Sequence, residues 1–312
     1  MRILSRFLAT SFVAVLFTAA TAHAQLFRAY AASYGNDANP CTVVAPCRLL
    51  PAALAAVHDG GEIWLLDSAN FNSGAVTINK NVSILAVPGQ VGSIVAFNGG
   101  NAININPGLD VALKNVSITS NATSPGNDGI DMTTGKLSIQ DSTISVPSIG
   151  VYVVGNGWLS MHNTVIRDAT IAVFAKDGAM ADVSHSKFIN LQYGVYVQGS
   201  LASVTTYGTV RDCEFTKNVT AVEADGVTVN AAARLSVHDS SISGGSYGVV
   251  ANSNSSGASS TATVGASTIS GVGSAALTQN GNPSAVLQTL GNNLIVNNAA
   301  NTLGTITPVG GV

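Results

Sequence analysis

A short pattern returns seven times between residues 111 and 269: apolar, any, apolar, any, an Asn- or Asp-like residue, a small one, any, then Ile or Phe. The copies are VALKNVSI (111–118), LSIQDSTI (137–144), LSMHNTVI (159–166), ADVSHSKF (181–188), GTVRDCEF (208–215), LSVHDSSI (235–242) and ATVGASTI (262–269). Their closing residues lie 26, 22, 22, 27, 27 and 27 positions apart. Periods of this length mean stacked units rather than an ordinary globular arrangement. A unit of this size is too short for a crossover helix and too long for a hairpin.

Alternation within each copy has the period of a strand, so Leu113, Ile139, Met161, Val183, Val210, Val237 and Val264 should stack inward on one another. The parity then shifts by one. Val116, Ser142, Thr164, Ser186, Cys213, Ser240 and Ser267 fall in phase with the closing Ile or Phe, which requires a bend at Asn115, Asp141, Asn163, His185, Asp212 and Asp239. Asn and Asp tolerate the left-handed backbone such a corner needs. A second strand follows about six residues on, as in GVYV (150–153), GVYV (194–197), AVEA (221–224), GVVA (248–251) and AALT (275–278). The economical solution is a coil of parallel strands wound into a β-helix, each turn resting about 4.8 Å above the last. Leucine-rich repeats share the length range, but their Leu/Asn signature is missing. VTINKNVSI (76–84), SIVAF (93–97), AINI (102–105) and LGNNLIVNN (290–298) read as less regular coils, giving about ten in all.

A solenoid must close its ends, and Pro51 to Val57 supplies a short helical pattern with Pro near its start and Gly60-Gly61 beyond it. This helix is expected to plug the amino end and to lead into a buried strand from Glu62 to Leu66. Tyr30, Ser33, Gly35, Asp37, Asn39-Pro40, Pro46, the Ala-rich helix and the EIWLLD strand together resemble the opening segment of right-handed parallel β-helix proteins of the pectin-lyase-like class. The resemblance extends to about residue 298. It implies an all-β, single-stranded, right-handed parallel β-helix with a short N-terminal capping helix. It implies little about chemistry, because that class holds lyases, hydrolases, epimerases and adhesins.

The expected organisation is a signal peptide (1–24), a cap segment (25–61), the β-helix (62–298) and a C-terminal tail (299–312). Arg2 and Arg6, the apolar run Phe7 to Ala20 and Ala22-His23-Ala24 form the export signal. No stretch approaches the roughly 20 apolar residues of a membrane span. An exported protein, periplasmic or extracellular, is expected. Cleavage would leave 11 basic against 16 acidic residues, which disfavours nucleic-acid binding. Only 9% of the chain is charged, so Ser, Thr, Asn and Gly must cover the surface. Cys41 and Cys47 are expected to pair as a disulfide within the cap, as suits an oxidising compartment. Two thiols with no nearby His leave a metal site half empty, so no metal or cofactor is expected. Cys213 reads as a buried apolar residue, and the protein as a monomer.

The polygalacturonase motifs, a calcium cage of neighbouring carboxylates with an Arg base, and the Asp-Pro-His-Asp signature of alginate epimerases are all absent from the sequence. Outward positions supply the candidates. On the second strand the expected ladder is Asp131, Tyr152, Ala172, Tyr196, Glu223 and Val250, with the two tyrosines roughly 10 Å apart. Tyr152, Tyr196, Asp131 and Glu223 form the candidate ligand-binding set, because aromatic rings flanked by carboxylates suit a sugar chain lying along the axis. On the first strand the ladder is Lys114, Gln140, His162, Ser184, Arg211 and His238, and Asp182 lies diagonal to His162 and Arg211. Asp182, His162 and Arg211 form the candidate catalytic set, an acid, an imidazole and a guanidinium able to serve acid/base chemistry. Glu214 and Lys187 read as a surface charge pair, and the Ser/Gly/Asn stretch 252–261 as a long projecting loop. The favoured reading is binding of polysaccharide or a cell-surface glycan without catalysis. The alternatives are a polysaccharide lyase or glycoside hydrolase with a non-standard site, and a structural or adhesive rod.

Overall fold

The alternating pattern becomes three strands per turn. The computed structural model describes residues 25–281 and 284–310; the expected signal peptide, 1–24, lies outside the described residues. One turn runs from Leu109–Lys114 on a first sheet, through Val116–Ser120 on a second, to Ile130–Met132 on a third, and Gly135–Gln140 then opens the next turn on the first sheet. Among the described residues the first sheet holds twelve strands and the other two hold ten each, and the pairings within them are parallel. The stack continues past 298, with Thr302–Leu303 on the third sheet and Ile306–Pro308 on the first. At the other end Leu26–Ala31 heads the first sheet, beside Val57–Leu65. No helix among the described residues is long and apolar enough to cross a membrane.

The inward stack is as the alternation requires. Leu113, Ile139, Met161, Val183, Val210, Val237 and Val264 are consecutive partners up the first sheet, each no more than 1% exposed. Asn115, Asp141, Asn163, His185, Asp212 and Asp239 all adopt positive φ, between 47° and 55°. This left-handed residue turns the chain from the first sheet to the second, and it is why two residues of opposite parity both face the core.

Directly after the corner stands a buried hydroxyl ladder. Ser186 donates to the Ser184 carbonyl at 2.8 Å and accepts from the Thr164 amide, one turn below, at 3.2 Å. Ser142, Ser240 and Ser267 repeat both bonds, so an amide left over by the bend is satisfied in turn after turn. Ser186→Ala removes an acceptor from a buried N–H and is expected to cost about 2 kcal/mol. Chemical denaturation checks this, and a loss below about 0.5 kcal/mol, the size of an ordinary surface change, would show that the ladder is dispensable.

The helix at Leu50–Ala56 carries Pro at its first turn and buries Leu50, Ala53 and Leu54 against the amino end of the stack. The chain enters the next strand at once. Val57 closes the helix by donating its amide to the Ala53 carbonyl, and His58 lies against Phe27 in ring contact. The Cys41–Cys47 disulfide is formed. The stretch 252–261 does not project as a long loop: Tyr247–Ser253 and Ser259–Gly265 are strands and only 254–258 lies between them. Its polar side chains are absorbed into ladders, as Ser253 and Ser260 are, both 1% exposed.

Candidate functional site

The expected ladder on the third sheet differs at one rung. Asp131, Tyr152, Phe174, Tyr196, Glu223 and Val250 are successive partners, so Phe174 replaces Ala172. Ala172 and Val173 are both fully buried, because the chain dips into the core as each strand of this sheet begins, with Gly150, Gly194 or Gly248 at the equivalent place. Parity counted across that dip slips by one residue. Phe174 changes the character of the face. Its ring lies 5.2 Å from that of Tyr152, tilted by 34°, and stacks 5.0 Å from that of Tyr196, which in turn stacks 5.0 Å from Tyr193. The rings therefore turn their faces largely on one another and present edges to solvent.

At the upper end of this aromatic run the surface sinks into a polar cluster. Every residue of Thr220–Gly226 is buried, including the outward pair Glu223 and Asp225, 8% and 4% exposed. Tyr196 Oη donates to Asp225 Oδ2 at 2.6 Å and accepts from Gln198 Nε2 at 2.8 Å. Asn252 Nδ2 reaches Asp225 Oδ1 at 3.1 Å and Glu223 Oε1 at 3.5 Å, tying the two carboxyls together. Burial, followed by the charge of Asp225, pushes the Glu223 carboxyl up to about 7, against the opposing hydrogen bond from Asn252. Burial also raises Asp225, opposed by hydrogen bonds from Tyr196, Gln198 and Asn252. At the lower end of the ladder, burial and then Asp128 raise Asp131. Tyr196 is held protonated, first by burial and then by its bond to Asp225.

Tyr152, Tyr196, Asp131 and Glu223 thus share one face, with Tyr196 and Glu223 on adjacent rungs. Asp225, Gln198, Tyr193 and Asn252 were missed by sequence reasoning. A signal existed for Asp225: it follows Glu223 by two residues in TAVEADG, a strand otherwise almost free of charge. Positions two apart in a strand share a face.

The first sheet carries the other set. Lys114, Gln140, His162, Ser184, Arg211 and His238 do form one ladder. Arg211 Nη2 lies 3.2 Å from Asp182 Oδ2, with both side chains substantially exposed. His162 turns elsewhere: Nδ1 is 3.1 Å from Ser184 Oγ and the ring lies 4.8 Å from that of His185. Asp182 and Arg211 meet as an open surface ion pair, which contributes little, and no hydrogen bond joins His162 to either among the described residues. Lys187 and Glu214 pair at 2.8 Å. Cys213 is buried, and burial pushes its thiol up to about 11, which keeps it from acting as a nucleophile. Among the described residues no group of three or more His, Cys, Asp or Glu is placed to hold a metal ion.

Comparison with known proteins points to this architecture. The family described as a right handed beta helix region matches residues 149–307. Among solved structures, the chain is similar to XylC in complex with xylose (9% identity, TM-score 0.55, covering 82% of this chain and 70% of that one). It is also similar to pectate lyase Pel9A (14% identity, TM-score 0.50, 91% and 80%). No curated protein matches the sequence.

Proposed function

The chain belongs to the right-handed β-helix family, and from that premise we propose that it is an exported protein that binds a neutral polysaccharide along its third sheet without cleaving it. The observation that carries this reading is the aromatic run Tyr152, Phe174 and Tyr196 ending in the sunken cluster of Glu223, Asp225, Gln198 and Asn252. Ring edges give a sugar chain apolar contact, while fixed amide, hydroxyl and carboxyl groups set its orientation. The carboxyls favour a neutral ligand. A polyuronate would bring further negative charge beside Asp225 and Glu223, whose ionised forms burial already disfavours. That one similar structure was solved with xylose and another is a pectate lyase supports the choice of a saccharide.

A second reading has its own observation. Glu223, poised near neutrality beside Asp225, resembles the acid and base of a glycoside hydrolase. Calorimetric titration with soluble xylan, glucomannan, β-glucan and polygalacturonate, followed by an assay for new reducing ends, separates the two. The proposal expects saturable binding of a neutral polymer, no new ends, and roughly a tenfold loss of affinity in Asp225→Asn, the effect of removing one buried charge-assisted contact. New reducing ends would replace binding by hydrolysis. Preference for polygalacturonate, or unchanged affinity in Asp225→Asn, would remove the third sheet as the site.

A further inference from the structure

Outside the third sheet, the molecule exposes a line of apolar side chains that the repeat pattern does not explain. Trp158, Met180 and Tyr207 are successive partners on the first sheet, pointing outward, and are 47%, 51% and 43% exposed. Contiguous exposed apolar side chains mark interaction surfaces more often than isolated ones do. Lys136 stands one rung below Trp158, and Arg234 one rung above Tyr207. Beside this line runs a parallel row of short polar side chains, Ser138, Ser160, Asp182, Thr209 and Ser236, one per turn. Below Trp158 the row sinks between Lys136 and Asp110 on one side and Lys114 and Gln140 on the other. Ser83, Ala112 and Ser138 there line two hollows, an open trough of about 470 Å³ on the side of Lys136 and Asp110 and a smaller one of about 220 Å³ on the side of Lys114 and Gln140.

We propose that the outward face of the first sheet is a separate saccharide-binding surface, on which an extended neutral glycan lies along the helix axis with Trp158 and Tyr207 stacking on its rings. The spacing fits: Trp158 and Tyr207 are two rungs apart, roughly 10 Å, comparable with a disaccharide repeat. A hydroxyl or carboxylate recurs in the adjacent row at each intervening turn. The rings are free for the purpose, unlike those of the third sheet. No aromatic contact engages Trp158 or Tyr207 among the described residues, whereas Trp64 has Arg28 stacked 4.0 Å from its ring centre and donates Nε1 to Glu62 at 3.0 Å. Charge selects a neutral ligand. Three cations of this face are matched by a carboxylate, Lys136 by Asp110 at 3.8 Å, Lys114 by Asp141 at 3.5 Å and Arg211 by Asp182 at 3.2 Å, while Arg234, beyond Tyr207, has no ion-pair partner among the described residues. From the rung of Lys114 to that of Arg211 a polyanion would meet only cations already paired, while sugar hydroxyls can both donate to and accept from these groups.

The inference is independent of the third sheet, and the test keeps the two apart. The chain has two tryptophans, so Trp64→Phe leaves Trp158 as the only indole reporter. This variant is titrated with neutral β-1,4-linked hexasaccharides of xylose, glucose and mannose. The proposal expects a saturable blue shift of Trp158 emission with at least one of them. It also expects at least about tenfold weaker binding when Tyr207→Ala is added, and an unchanged titration when Asp225→Asn is added instead. No shift with any of the three sugars, or no effect of Tyr207→Ala, would overturn it. So would equal response to a galacturonate hexasaccharide, or loss of the signal in Asp225→Asn. An emission shift that follows protein concentration, with a dimer in sedimentation velocity, would give the face to a second copy of the chain and overturn it as well. If calorimetric binding vanishes in Asp225→Asn but survives in Trp158→Ala and Tyr207→Ala, the third sheet stands alone.

Discussion

Phe215→Ala is expected to lower the unfolding free energy by about 4 kcal/mol. The ring of Phe215 is 1% exposed and stacks 4.7 Å from that of Phe188, one turn below, with 11° between the planes. The two rings fill the interior where the second sheet meets the core. Their partners above and below on the same row, Ile166 and Ile242, are smaller. Removing one ring forfeits its burial and leaves a void that hydrogen-bonded strands on three sides cannot collapse to fill. Equilibrium denaturation measures the loss, read on the transition that includes this part of the stack, since repeat arrays do not always unfold as one unit. A loss below about 1 kcal/mol would mean that the interior here is loosely packed. Phe188→Ala combined with Phe215→Ala should cost less than the two singly, because each ring is part of the other's environment.

The second large effect is a dependence of stability on pH that runs against the usual acid denaturation. Glu223 has its folded-state pKa raised from 4.5 to about 7, principally by burial. Below the unfolded value both states carry the proton and the group contributes no penalty. As pH climbs from about 4.5 to 7 the unfolded chain releases its proton while the native state retains it, so native stability falls. Above about 7 the penalty levels off at about 3 kcal/mol, taking each pK unit as 1.36 kcal/mol. Asp225 and Asp131, also raised by burial, add in the same direction. Glu223→Gln keeps the shape of the side chain and removes the titration. It should flatten the fall between pH 4.5 and 7 and leave the variant more stable than the parent at pH 8. Denaturation midpoints across that range are the measurement, and parallel curves for the two proteins would show that Glu223 ionises as an ordinary carboxylate.

The repeated copies carried the fold because each constraint acts locally and recurs. Inward residues of the first sheet alternate without interruption from Leu113 to Val264, and the corner residue is fixed by the one backbone conformation that reverses parity, so both could be read from spacing. The outward faces were only partly legible. Phe174 was lost because two successive buried residues at the start of its strand break the alternation from which it was counted. Trp158 and Tyr207 precede the first inward residue of their copies, Leu159 and Gly208, so a pattern defined by core positions leaves them out. Asp225 and Asn252 form a cluster with Tyr196 only through hydrogen bonds between turns some 27 to 29 residues apart. The separation of His162 from Asp182 and Arg211 has the same origin: the ladder fixes which strands are neighbours, while side-chain partners decide where the imidazole points.

The central claim is that this β-helix holds a neutral polysaccharide on its outward strand faces and leaves it intact. The most direct measurement is calorimetric titration of the protein with soluble xylan, glucomannan and β-glucan at pH 5.5, with the same mixtures then assayed for new reducing ends. The account predicts saturable heat with at least one neutral polymer and no increase in reducing ends. Absence of saturable heat with all three, or the appearance of new ends, would contradict it.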